Sequence, residues 1–141
     1  MSKLRLSNGD DHPEAARKLL DDASALRASN RFDGASYLTG YVVECSLKTL
    51  IQHESGVPEE GHSLNVLATR LSTVCAIAGG RTARYLTPAV LSVPSGAVAA
   101  WRPAMRYRAP SMAASDAAAW FGEAQIIYQS TVGQMFLDGV I

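Results

Sequence analysis

The sequence predicts an all-α protein, an antiparallel up-and-down bundle of four to five helices. Strand signals are nearly absent, because no segment sustains a period-2 alternation enriched in β-branched residues. Apolar residues instead recur at spacings of three and four along most of the chain. Four periodic segments are long and their connections short, which places successive helices antiparallel. With 141 residues, 48% of them hydrophobic, the chain can bury one core but not two comfortable ones. Residues 1–12 read as a polar N-terminal tail and residues 13–138 as a single domain.

The first helix is expected to open at Pro13, behind Asp11 and His12, because proline suits a first turn. It presents Ala16, Leu19, Leu20, Ala23 and Leu26 to the core and stops at Ser29 and Asn30. The second is expected from Phe32 to Glu54, closed by Ser55, Gly56 and Pro58. Gly34 and Gly40 inside it each weaken a helix by about 1 kcal/mol relative to alanine, which implies close approach by a neighbouring helix. The third begins near Ser63, aligns Leu64, Leu67, Leu71, Val74 and Ala78, and ends at Gly79 and Gly80. Pro88, Pro94 and Pro103 break the stretch from Thr82 to Arg108 into short helices and ordered loop. The last helix opens at Ser115 or Asp116 and runs to about Leu137, with Trp120, Phe121, Ala124, Ile127, Tyr128, Thr131 and Met135 inward.

The second helix carries a polar stripe. Tyr37, Tyr41, Glu44 and Lys48 follow the spacing i, i+4, i+7, i+11 and share one narrow face, while Leu38, Val42, Val43, Cys45, Leu47 and Leu50 flank it. A helix apolar nearly all round lies in the middle of a fold. Charges held there must find partners, since an unpaired buried charge costs several kcal/mol or neutralises itself. The stripe is therefore a structural clamp or the floor of a site.

Charge is unevenly distributed. Between Gly61 and Ser115 there is no acidic residue, but six arginines: Arg70, Arg81, Arg84, Arg102, Arg106 and Arg108. That segment is +6, and the remainder, with seven bases against thirteen acids, is −6. Arginine without lysine favours planar carboxylate or phosphate partners. Two destinations compete: an anion or nucleic-acid surface, and pairing with the acidic part within the chain or across a dimer.

Several chemistries are excluded. His12, His53 and His62 are scattered, with no metal-ligand spacing, and Cys45 and Cys75 fall on apolar helical faces as small core residues. No cofactor or metal is expected. Glycines form neither a P-loop nor a dinucleotide fingerprint, and no nucleophile elbow supports a triad. No secretory leader and no membrane-spanning apolar run is evident, so the expectation is a soluble, cytoplasmic protein without membrane contact. His62, in Glu59-Glu60-Gly61-His62-Ser63-Leu64, either orients a ligand or staples the helix start with Ser63 as N-cap. Trp101-Arg102-Pro103-Ala104-Met105-Arg106-Tyr107-Arg108 interleaves aromatic and basic residues, which suits stacking on bases and neutralising phosphate. Equally, Trp101 and Tyr107 could pin the loop to the bundle while Arg106 pairs with Glu44.

Read together, Ala35 to Leu50 (ASYLTGYVVECSLKTL), Gly61-His62-Ser63-Leu64 followed by Leu67, and Trp101 to Tyr107 ending in Arg106-Tyr107 resemble the HEPN domain family of prokaryotes. The resemblance extends from Pro13 to about Leu137. It implies a helical bundle, commonly a homodimer, often encoded beside a minimal nucleotidyltransferase in toxin and antitoxin pairs. Catalytic members are metal-independent ribonucleases with an Arg-x4-6-His motif at the start of the last long helix, assisted by a polar residue from the second. By position Glu44 would be that polar residue and Arg106 the motif arginine. No histidine follows His62, so the motif is incomplete and no catalytic residue is assigned.

The resulting expectation is a HEPN-like module without catalysis. It would dimerise and bind a nucleotidyltransferase-type partner or an anionic ligand such as RNA or a nucleotide. Its site would draw on Tyr37, Tyr41, Glu44, Lys48, Trp101, Arg102, Arg106, Tyr107 and Arg108. The alternatives are an endoribonuclease built from Arg106, Tyr107, Glu44 and His62, and a nucleotide-binding protein using Tyr37, Tyr41 and Arg106.

Overall fold

A computed structural model describes residues 1–75 and 79–141. The long helices are α1 (His12–Ala28), α2 (Phe32–Ser55), α3 (Leu64–Cys75) and α5 (Ala114–Tyr128), with short α4 (Pro88–Leu91) and α6 (Gln134–Leu137). α2 is the hub, packing against α1, α3 and α5. The expected all-α bundle is what forms.

Asp11 caps α1 by accepting from the Glu14 amide, and the helix begins at His12, one residue before the expected proline start. Asn30, at φ 58, turns the chain back so that α1 and α2 form an antiparallel hairpin. α2 is buried on every side from Val42 to Gln52, and Gly56, at φ 75, ends it by donating to the Gln52 carbonyl at 2.8 Å. Ser63 caps α3, its Oγ accepting from the Val66 amide at 3.3 Å. Leu64, Leu67 and Leu71 form the α3 seam as expected; Val74 is only partly buried and the adjacent Cys75 is the buried residue there, while the expected fifth member, Ala78, lies outside the described residues.

The proline-broken stretch resolves into α4 and 3-10 turns at Ala83–Tyr85, Val93–Ser95, Ala97–Ala100 and Pro103–Tyr107. Each of the three prolines sits in a first turn, where its missing N–H has no intrahelical partner to lose. This stretch is no mere connection, since Tyr85, Val90, Val93, Val98 and Trp101 all enter the core. Glu123 of α5 fixes its position: Oε2 accepts from the Val98 amide at 3.1 Å, and a Cβ at Gly96 would lie 1.8 Å from Oε1.

The last helix departs from expectation at two points. It opens at Ala114 with no side-chain cap, and Asp116 sits in its first turn, where a negative charge meets the helix dipole. It also widens into a π-helical turn over Gln129–Gly133 before α6. There the Thr131 hydroxyl donates to the Ile127 carbonyl at 2.6 Å. Of the expected inward residues only Tyr128 is incompletely buried.

Both cysteines are free and buried, and burial pushes the Cys45 thiol up to about 12, consistent with core residues rather than nucleophiles. The residues read as a polar tail lie against the bundle. Ser2 reaches the Asp11 carboxylate through N–H and Oγ at 2.8 and 2.7 Å, and the Leu4 carbonyl accepts from Gln52 Nε2 at 2.9 Å.

Candidate functional site

The α2 stripe is a continuous polar row. Lys48 Nζ lies 2.9 Å from Glu44 Oε1, with both side chains almost fully enclosed at 7% and 4% exposure. His62, reaching in from the turn before α3, places Nδ1 3.1 Å from each Glu44 oxygen. Glu44 thus ties a buried cation to a histidine that is itself 59% exposed. At the other end of the row Gln52, four residues beyond Lys48, is 6% exposed, and neither its Oε1 nor the neighbouring His12 Nδ1 has a hydrogen-bond partner within the protein. His12 and Gln52 belong to the row although only the i+4 spacing of Gln52 hinted at it.

Burial, then the nearby Lys48 charge, lowers the His12 pKa below its ordinary 6.5. The folded protein therefore holds that proton less tightly than the unfolded chain. Stability present above pH 6.5 is lost as pH falls from there toward the folded value. His53 is lowered too, by burial and then by Arg81. The denaturation midpoint should fall between pH 7.5 and pH 5.5, and His12→Asn should shrink that fall; an undiminished fall would assign the effect elsewhere.

Aromatic rings continue the row toward the surface. The Tyr37 and Tyr41 hydroxyls meet at 2.9 Å, and Trp101 packs edge-on to Tyr41 with centroids 4.7 Å apart. Trp101 Nε1 donates to the Tyr37 carbonyl at 2.9 Å. The indole fits because residue 40 is glycine: a Cβ there would lie 2.1 Å from three indole ring atoms. Gly34 has a milder neighbour, Leu26 of α1, which is the close helix approach expected, whereas at Gly40 the close neighbour is the Trp101 ring of the proline-broken stretch rather than a helix. Burial and the Tyr37 hydroxyl raise the Tyr41 pKa to about 12, which keeps it protonated at neutral pH.

A cleft of about 370 Å³ opens beside this cluster, lined by His62, Ser63, Asn65, Trp101, Arg102 and Pro103 among others. Beyond it Arg106 stacks on Tyr107, 5.0 Å from the ring centroid. Arg106 does not pair with Glu44, because Lys48 and His62 already occupy that carboxylate. Trp101 pins the loop as one reading required, whereas Tyr107 is 78% exposed and pins nothing.

The six arginines divide. Arg70 pairs with Glu59 at 3.3 Å and Arg84 with Asp138 at 2.6 Å, so part of the positive segment is answered within the chain. Among the described residues Arg102, Arg106 and Arg108 form no ion pair, and all three are exposed. Also among the described residues, no cluster of His, Cys, Asp or Glu could hold a metal ion, and no helix is long and apolar enough to cross a membrane.

The family model described as HEPN domain matches residues 10–94. The chain belongs to the HEPN domain family. No curated protein and no solved structure matches it. The matched residues hold α1 to α3, and with them the polar row and His62, while the arginine-bearing arm of this HEPN domain follows them.

Proposed function

We propose that this HEPN domain is a binding module for a phosphate-bearing ligand, a nucleotide or RNA, seated on the arm Trp101–Arg108 and the adjoining cleft. The observation that carries this reading is three exposed arginines that form no ion pair among the described residues, beside an aromatic cluster and a cleft. Arginine forks suit phosphate oxygens, and the exposed ring of Tyr107 suits a base. No histidine follows His62, so the Arg-x4-6-His pattern of cleaving members is incomplete and binding without turnover is the simpler outcome. Homodimerisation and a nucleotidyltransferase-type partner, in a toxin and antitoxin setting, belong to the same proposal and rest on the family alone. Solution mass tests the first: a strictly monomeric species counts against it.

Replacing Arg102, Arg106 and Arg108 together by alanine tests the binding surface. Affinity for single-stranded RNA should fall, and the slope of log affinity against log salt should flatten by about 2, since each lost phosphate contact removes about 0.7. An unchanged slope would place the ligand elsewhere.

One observation favours a second reading, endoribonuclease activity. His62 lines the cleft with Nδ1 on Glu44, which leaves its other ring nitrogen available to serve a ligand there as a general acid or base. Incubation with RNA decides between the two: cleavage that disappears in His62→Ala selects it, and intact RNA bound by the wild type rejects it.

A further inference from the structure

The segment from Trp101 to Met112 leaves α2 and returns to it one helical turn away. At its start Trp101 Nε1 donates to the Tyr37 carbonyl at 2.9 Å, and at its end the Ser111 and Met112 amides donate to Asp33 Oδ1 at 2.9 and 3.2 Å. Asp33 and Tyr37 are i, i+4 neighbours, so both ends are fixed to the same face of one helix. Between these pins the backbone bonds, from Met105 N–H to the Arg102 carbonyl and from Arg108 N–H to the Met105 carbonyl, are internal to the loop.

Between this loop, α2 and α5 lies a cavity of about 170 Å³, separate from the His62 cleft. The rings of Tyr37 and Trp120 and the thioethers of Met105 and Met112 line it, a soft and largely apolar wall suited to a flat aromatic body. The Tyr37 hydroxyl is already engaged with that of Tyr41 at 2.9 Å, so Tyr37 offers its ring. Two charged side chains complete the lining, Asp33 and Arg108. The Asp33 carboxylate is answered by the two backbone amides, whereas Arg108 forms no ion pair among the described residues. One charge is left for an occupant to meet, and it is a planar cation.

We infer that this cavity binds a small aromatic monocarboxylate, its ring among Tyr37, Trp120 and the two methionines and its carboxylate on the Arg108 guanidinium. The fork of an arginine matches a carboxylate through two parallel hydrogen bonds. Size sets the upper limit: an apolar cavity of about 150 Å³ takes up one benzene ring, so this one holds a single ring with a short substituent and excludes a nucleotide. Nothing here requires phosphate on the arm, since the cavity is separate from the His62 cleft and only Arg108 is common to both.

Calorimetric titration of the full chain with benzoate, benzamide, acetate, inorganic phosphate and 1-naphthoate tests it. Benzoate should bind at least tenfold more tightly than benzamide, which lacks the charge, than acetate and phosphate, which lack the ring, and than 1-naphthoate, which exceeds the space. Arg108→Gln removes the cation and Ala100→Leu adds bulk to the cavity wall, and each should lower benzoate affinity at least fivefold. Both residues are exposed, so neither substitution threatens the fold, and a melt of each variant without ligand checks it. Benzamide or acetate binding as tightly as benzoate overturns the inference, as does benzoate binding undiminished in either variant. So does a wild type that takes up no benzoate, and that result leaves phosphate binding on the arm untouched.

Discussion

Gly40→Ala is expected to lower the melting midpoint by about 10 °C, a loss of about 3 kcal/mol for a chain of this size. Helix propensity alone predicts the opposite sign, since alanine is favoured over glycine in a helix interior by about 1 kcal/mol. The contact decides, because the added carbon would overlap Trp101 at 2.1 Å and the indole is a rigid ring with nowhere to shift inside a core. Displacing it also breaks the hydrogen bond to the Tyr37 carbonyl. Gly122→Ala in α5 supplies the control: a Cβ there meets nothing within 4 Å, so that variant should gain about 0.5 to 1 kcal/mol. Thermal melts of the two side by side separate contact from propensity, and a stabilised Gly40→Ala would remove the indole from its place.

The second large effect concerns the buried ion pair. Glu44→Ala leaves Lys48 enclosed without its counter-charge and should cost about 3 to 5 kcal/mol in denaturant titration. The double replacement Glu44→Leu with Lys48→Met removes both charges and should return close to wild-type stability, because an apolar pair of similar volume spares two desolvation costs. It should nevertheless lose what Glu44 does for His62, whose ring then has no fixed orientation. A double variant that folds normally yet binds ligand poorly would locate the value of the pair in the site. A single variant losing under about 1 kcal/mol would show that water reaches the carboxylate.

How much of this was legible in the sequence follows from the range of each interaction. Helix order was readable because caps and apolar spacing are local: Asp11, Ser63 and Gly56 act within a few residues of themselves. The stripe was readable for the same reason, being one face of one helix. The partners of Glu44 were only half readable. Lys48 is an i+4 neighbour, but His62 lies 18 residues away, and Arg106 had looked the equal candidate because spacing says nothing about which distant cation arrives first. The packing of residues 1–11 and the role of His12 escaped because polar composition suggests a tail unless its hydrogen bonds can be seen. Charge arithmetic predicted competition for the arginines, and the fold answers Arg70 and Arg84 with Glu59 and Asp138 while Arg102, Arg106 and Arg108 form no ion pair among the described residues.

The placement of the two tryptophans gives the molecule a pair of built-in optical reporters. Trp101 borders the His62 cleft, Trp120 borders the separate cavity of about 170 Å³ lined by Asp33 and Tyr37 among others, and the chain holds no other indole. Each is largely shielded from water, at 3% and 8% exposure, so its emission is set by the rings and charges packed beside it rather than by bulk solvent. Trp120→Phe would leave a single emitter, beside the His62 cleft. Comparing its quenching by an added nucleotide with that of the wild type then tells whether a ligand settles beside that cleft, without a label attached to either partner.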